Sequence, residues 1–344
     1  MSEVTLESQL LEILENEEMP EYIKLAKVEM LISLGVDVNV ADECGYTALM
    51  MASKEGYRSI VELLIKNGAD VNKQSYGLYY NSLRYALDHC HKDIVEFLVE
   101  NNSDLEQKDK GENTPFLWVA RFGSKEDLEY FFDKGADINA LNKYGQDALK
   151  LAVLSGKIEK VKFLVEKGMD IHKKDKTWEC TPLISAAEHG YLDIIEYLLD
   201  KGALINDVDK CGETALMHAS SRGHFDVVKL LCSKGADINI KNYGYSAVML
   251  ASGERHVEIV KFLAKKWANL NYQNDHGETA LIRAVKFNNK KMIDLLIALG
   301  ARMDIKDKNG KTAEECADTE EIKNTIEVAK VKRYLHNMTG GLFR

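Results

Sequence analysis

The 344-residue chain reads as an all-α repeat solenoid, a curved rod of helix-turn-helix units joined by β-hairpin loops, and three periodic markers say so. A leucine-type anchor recurs at Leu49, Leu83, Phe116, Leu149, Leu183, Leu216, Val248 and Leu281, in steps of 34, 33, 33, 34, 33, 32 and 33 residues. A glycine anchor shares the period at Gly35, Gly68, Gly135, Gly168, Gly202, Gly235 and Gly300, with Asn102 and Trp267 in two of its places. Two residues before each leucine anchor stands a side chain able to cap a helix: Thr47, Asn81, Thr114, Asp147, Thr181, Thr214, Ser246 and Thr279, with Thr312 in the last unit. Self-similarity at a fixed period of this kind marks stacked supersecondary units.

The elements follow in order. Residues 3–34 carry eight glutamates and two apolar stripes, Leu6, Leu10, Ile13, Leu14 and then Ile23, Ala26, Met30, Leu31, which predict two helices of an end-capping unit. In each repeat the cap residue offers an oxygen to the orphan amides of a first helix. Pro115 and Pro182 directly follow two of the caps, where a missing N–H costs nothing. Gly56, Gly156, Gly190 and Gly223 then end that helix. The second helix shows paired apolar residues one turn apart, as in Ile194-Ile195 with Tyr197-Leu198 and Val227-Val228 with Leu230-Leu231, which makes one apolar stripe. It closes at the glycine anchor, a position suited to the left-handed conformation. An extended hairpin leads to the next cap. Trp267 at a left-handed position should cost about 1–2 kcal/mol, so its loop is expected to be remodelled or soft.

Segments such as Asp209-Lys-Cys-Gly-Glu-Thr-Ala-Leu216, Gly223-His-Phe-Asp-Val-Val-Lys-Leu-Leu231 and Gly235-Ala-Asp-Ile-Asn239 closely resemble the ankyrin repeat, from about residue 3 to 336. The division this implies is a degenerate capping repeat over 1–41, eight repeats over 42–306, a closing capping repeat over 307–336 and a flexible tail over 337–344. The residue after the leucine anchor departs from the family's usual His, being Met50, Arg84, Leu117, Lys150, Ile184, Met217, Met249 and Ile282. Ten units stacked at roughly 8–10 Å predict a rod on the order of 90 Å long with a concave groove. One such unit cannot bury enough surface to fold alone, so its stability comes from its neighbours.

The resemblance implies that another protein binds on that groove, at hairpin tips and first-helix ends. Carried over by register, these positions hold Tyr46, Tyr80, Phe122, Tyr144, Trp178, Tyr243, Tyr245 and Phe287, and large rigid aromatics are apt anchors for an interface. Trp178, in a lengthened hairpin, is the first choice among them; the Tyr76, Tyr79, Tyr80 cluster is second. The competing reading is a small-molecule or nucleotide-ligand sensor, kept alive by Trp118 and Trp178 with nearby lysines, although Trp118 lies between core slots of a first helix and is expected to be buried. Asn72, Asn139 and Asn239 resemble hairpin asparagines that asparaginyl hydroxylases modify, but hydrogen bonding within the hairpin is the favoured role.

Composition narrows the functions. A formal net charge of −10 argues against general nucleic-acid binding and against an anionic membrane surface. No apolar run is long enough to span a bilayer, and the glutamate-rich start does not read as a signal peptide. The six cysteines are scattered without a C-x-x-C pair, which fits a reduced compartment; Cys180 and Cys211 could approach each other on adjacent hairpins but lack a second pair of ligands. Catalytic residues, metal and cofactor are therefore all expected to be none. The expectation is a non-enzymatic, monomeric, cytoplasmic interaction protein, either a housekeeping adaptor or inhibitor or an effector delivered into a host cell.

Overall fold

The structure, a computed structural model, describes residues 5–242 and 244–338. It is an all-α repeat fold and divides into two compact units, Met1–Leu151 and Ala152–Arg344. Tyr243, one of the proposed contact residues, and residues 339–344 of the expected tail lie outside the described residues.

Unit 1 runs α1 (Leu6–Glu15), α2 (Glu21–Ser33), α3 (Ala48–Glu55), α4 (Arg58–Lys66), α5 (Ser82–Asp88), α6 (Lys92–Glu100), α7 (Pro115–Phe122) and α8 (Lys125–Asp133), and its boundary falls inside α9 (Ala148–Leu154). Each first helix packs on its partner and on the first helix of the next repeat, so α3 touches α4 and α5, and α5 touches α6 and α7. Unit 2 continues with α10 (Ile158–Glu166), α11 (Pro182–His189), α12 (Leu192–Asp200), α13 (Ala215–Arg222), α14 (Phe225–Ser233), α15 (Ala247–Gly253), α16 (Val257–Lys265), α17 (Ala280–Lys286), α18 (Lys290–Ala298) and α19 (Glu320–Met338). The same pairing recurs there, α11 on α13, α13 on α15 and α15 on α17.

The core is the periodic set. Leu49, Leu83, Phe116, Leu149, Leu183, Leu216, Val248 and Leu281 are all buried, and so are the second-helix pairs Ile60-Val61, Ile94-Val95, Ile194-Ile195, Val227-Val228 and Ile259-Val260. Each such side chain contributes about 1.5–3 kcal/mol of transfer free energy. The caps form as the sequence suggests: Thr47, Asn81, Thr114, Thr181, Thr214 and Thr279 each accept a hydrogen bond from the N–H three residues on.

Three local expectations change. Ser246 makes no side-chain cap; its repeat is a residue short, and Ser246 instead closes a small antiparallel ladder of β1 (Lys241–Asn242) with β2 (Tyr245–Ser246), its hydroxyl buried without a partner. The buried face of α2 is Lys24, Val28 and Leu31, while Ile23 and Met30 of the predicted stripe are exposed. The turn at Trp267 is not remodelled: φ is +66°, Trp267 N–H reaches Ala264 O at 3.1 Å, and Ala268 N–H reaches Leu263 O at 3.0 Å. That is the bonding of the glycine turn at Gly68, so the indole accepts the left-handed backbone.

The histidines that follow the first helices serve the stack. His91, His224 and His256 place Nε2 2.9 Å from Lys54 O, Glu188 O and Ser221 O of the preceding repeat. The ring of His256 lies where a Cβ on Gly223 would stand, 2.5 Å away, and Gly223 has φ +81°, so both space and backbone require glycine there. The hairpin asparagines also bridge repeats: Asn72 Oδ1 accepts from Asp104 N–H at 2.8 Å, and Asn239 Oδ1 from Asn269 N–H at 3.0 Å. This is the hydrogen-bonding role favoured from the sequence.

Candidate functional site

Several hairpin tips are built by one device. An Asp or Asn accepts, through a single Oδ1, the N–H groups two and four residues on: Asp42 from Cys44 and Tyr46 at 2.8 and 2.7 Å, Asn142 from Tyr144 and Gln146 at 3.0 Å each, Asn274 from His276 and Glu278 at 2.9 Å each. This Asx turn fixes the residue just before the helix cap, as it does Tyr46. Tyr80 and Tyr245 hold the same register position on other turns: Tyr80 N–H reaches Ser75 Oγ at 3.3 Å, and Tyr245 pairs with Asn242 in the β1–β2 ladder.

In unit 1 these residues join a continuous aromatic surface. The Tyr46 ring lies 4.7 Å from Tyr85, and Tyr85 lies 5.5 Å from Tyr80, both edge to face. The Arg84 guanidinium sits 4.3 Å from the Tyr80 ring centre and 5.0 Å from that of Trp118, and Trp118 lies 5.5 Å from Phe122. Arg84 is held by Asp109 at 2.8 Å, Asp88 at 3.0 Å and the Tyr80 hydroxyl at 3.1 Å. Burial, together with Tyr85, pushes the Tyr46 phenol far above its ordinary range; burial also raises Tyr80, with Arg84 working the other way. These hydroxyls therefore stay protonated and act as hydrogen-bonding groups. Phe122 is 66% exposed, so this surface ends in apolar area open to a ligand.

Unit 2 repeats the motif in smaller form. Arg283 lies 4.8 Å from the Tyr245 ring centre and 5.6 Å from that of Phe287, and donates to the Tyr245 hydroxyl at 2.8 Å. Trp178 stands apart from this group at 59% exposure, its hairpin fixed by Asp175 Oδ1 on Trp178 N–H at 2.8 Å and by Lys210 N–H on Trp178 O at 2.8 Å. Cys180 is buried and Cys211 exposed, and no disulfide joins them. Burial pushes the Cys232 thiol up to about 11, which makes it a poor nucleophile at neutral pH.

Of the residues chosen from the sequence, Tyr46, Tyr80 and Phe122 fall on one surface and Tyr245 and Phe287 on another; Tyr144 and Trp178 are exposed individually. Sequence reading missed Arg84, Tyr85 and Arg283, and expected Trp118 to be buried. Trp118 is half-buried, not enclosed in the core, because it lies under Arg84 and against Phe122. The signal that could have found the arginines is their register: Arg84 stands one residue after the anchor Leu83 and four after Tyr80, and Arg283 two residues after the anchor Leu281 and four before Phe287, one helical turn from an aromatic in each case.

Fold and surface together define a repeat protein with an aromatic–arginine face on hairpins and first helices. The chain belongs to the ankyrin-repeat family: the model described as "Ankyrin repeats (3 copies)" matches residues 22–109, 83–175, 170–242 and 241–309. It is similar to the Transient receptor potential cation channel subfamily A member 1 homolog of Caenorhabditis elegans, 29% identical over 178 residues, covering 52% of this chain and 14% of that one. It is also similar to mouse Protein phosphatase 1 regulatory subunit 27, 42% identical over 90 residues, 26% of this chain and 57% of that one. Mouse Ankyrin repeat and SOCS box protein 6 is 34% identical over 111 residues, 32% of this chain and 27% of that one. The chain thus spans less than two thirds of the length of each of these relatives. Among solved structures, the human ASB11 ankyrin repeat domain aligns with a TM-score of 0.58 at 22% identity, over 63% of this chain and 98% of that one, which concerns the fold alone. Among the described residues no helix is long and apolar enough to cross a membrane.

Proposed function

We propose that this chain is a protein-interaction module that binds a partner on the hairpin and first-helix face of its repeats. The carrying observation is the Arg-bridged aromatic surface of unit 1, Tyr46–Tyr85–Tyr80–Arg84–Trp118–Phe122. Arginine stacked between aromatic rings and tied by carboxylates is already ordered, so a partner pays little entropy to use it. Aromatic residues and arginine are also the side chains that dominate interface energetics. The matches to a phosphatase regulatory subunit and a SOCS box protein support an adaptor or regulatory role.

One feature favours a second reading, a small-molecule sensor. A cavity of about 400 Å³ in unit 1 is lined by Leu87, Cys90, Lys92, Val95, Trp118 and Phe122, within the size range of ligand pockets. A single experiment separates the two. Affinity capture from the native cell compares wild type with Phe122→Ala/Tyr144→Ala and with Trp178→Ala/Phe287→Ala, the partner then being mapped by cross-linking to the altered face. The interaction reading expects a specific protein to be lost from one or both variants. Unchanged recovery of every protein partner from both variants, with a metabolite lost only from Phe122→Ala/Tyr144→Ala, whose Phe122 lines the cavity, would transfer the function to the cavity.

A further inference from the structure

Asp209, Glu213 and His218 bring three potential metal-ligand atoms within 4.8 Å of one another in unit 2. Asp209 is the Asx residue of its hairpin, and its Oδ1 holds Glu213 N–H at 2.8 Å. Its Oδ2 lies 2.9 Å from His218 Nε2, which is 3.7 Å from Glu213 Oε2. Asp209 is buried, and Glu213 and His218 are half-buried. Asp209 and Glu213 flank the turn, and His218 is the fourth residue of α13, so a rigid hairpin and the first turn of a helix fix all three.

The other repeats show what is unusual here. The same three register positions hold Asp109, Asn113 and Trp118 in one repeat and Asn274, Glu278 and Arg283 in another. Where carboxylates gather there, a permanent cation answers them: Arg84 reaches Asp109 at 2.8 Å, and Lys286 reaches Glu278 and Asp307 at 2.8 and 3.2 Å. At Asp209 and Glu213 the group facing both carboxylates is an imidazole, while the nearby Arg222 is engaged by Glu188 at 2.6 Å. Such a site gains from a compact positive charge.

We propose that Asp209, Glu213 and His218 bind a divalent transition metal, Zn²⁺, through Oδ2, Oε2 and Nε2. One imidazole nitrogen and two carboxylate oxygens suit Zn²⁺ and disfavour soft ions that require thiolates. Zinc bonds of about 2.0–2.2 Å place tetrahedral donors about 3.4 Å apart. The His218–Asp209 pair must open by about half an ångström and the His218–Glu213 pair close by a few tenths, adjustments that side-chain torsions absorb. The metal takes the place of the hydrogen between Nε2 and Oδ2. Three protein ligands leave a fourth position for water or for a side chain of a bound partner. Each residue also fills an ordinary repeat position, which is why the sequence alone led to the expectation of no metal.

The test is calorimetric titration of Zn²⁺ into the full chain, with His218→Ala and Glu213→Gln beside wild type and circular dichroism to verify that both variants fold. Asp209 stays unaltered because it builds the hairpin. The six cysteines can also take zinc, so the readout is the difference between proteins. Wild type should bind one equivalent more than His218→Ala, and Glu213→Gln should weaken that equivalent at least about 10-fold, since even a ligand's outer-sphere partner is worth that much. Equal stoichiometry and affinity in all three proteins, or no zinc bound by wild type, overturns the proposal.

Discussion

Trp267 shows how much a single position can cost without altering the fold. Its φ of +66° puts a bulky side chain in the left-handed region, and the indole is 88% exposed, so no packing within the chain compensates. The strain is worth about 1–2 kcal/mol, less the extra unfolded-state freedom a glycine would bring. Trp267→Gly should therefore raise stability by about 1 kcal/mol in chemical denaturation. Trp267→Ala keeps a Cβ on the same backbone and should give none of that gain; equal stabilisation by both variants would show that backbone strain is not the cause. Residues of this kind are readable from sequence because cap and turn chemistry is local: Thr214 needs only Met217 N–H, and Trp267 needs only its own φ. Arg84 is not readable in that way, since Asp109 and Trp118, which hold it, arrive from the next repeat.

Helices and hairpins are legible wherever a pattern is repeated and less so at the ends. Two helices are correctly expected in residues 3–34, but the inward face of α2 turns on Lys24, which no hydrophobic count would select. Lys24 is 1% exposed, donates to Leu14 O and to the Tyr57 hydroxyl at 3.0 Å each, and lies 4.6 Å from the Tyr57 ring centre. One ammonium thus ties α1 and α2 to the start of α4, while its aliphatic stem fills the interface. Lys24→Ala leaves a buried carbonyl short of a donor and opens a void, so it should cost about 1–3 kcal/mol. The loss should be local, as expected when repeats are coupled mainly to their neighbours. Hydrogen exchange should accelerate across α1 and α2 and leave α13 to α16 unchanged, with exposed Lys27→Ala as the control. Uniform acceleration along the chain would show that the end repeat is not separately held.

Acidification works on the whole molecule through its net charge and on unit 2 through particular contacts. The charge of −10 at pH 7 is relieved only down to the isoelectric point, about pH 5.5; below it the chain is net positive and further protonation adds repulsion. Unit 2 also holds carboxyls pushed below their ordinary range. Burial raises Asp307 and Glu278, but Asp307 is outweighed by the Lys311 N–H and Lys286, and Glu278 by Lys286 and Asn274. Burial of Glu188 is likewise outweighed by its hydrogen bond from Arg222. A carboxyl with a lowered folded-state pKa contributes stability in full above its unfolded value, about 3.9 for Asp and 4.3 for Glu, and loses it as pH falls through the folded value. The repulsion is spread over exposed groups and is screened beyond about 8 Å at physiological salt, whereas the Lys286–Glu278–Asp307 contacts are short and sheltered. The contacts should therefore dominate: at about 0.15 M salt, unit 2 should lose stability as pH is lowered from about 5 to 3. Lys286→Met removes the shared cation, and with it part of the lowering of Asp307 and Glu278, so its stability should fall less steeply over that interval. Hydrogen exchange in α17 and α18 across this pH range measures the slope, and an equal slope in wild type and Lys286→Met would mean that the shared lysine is not what makes the unit sensitive to acid.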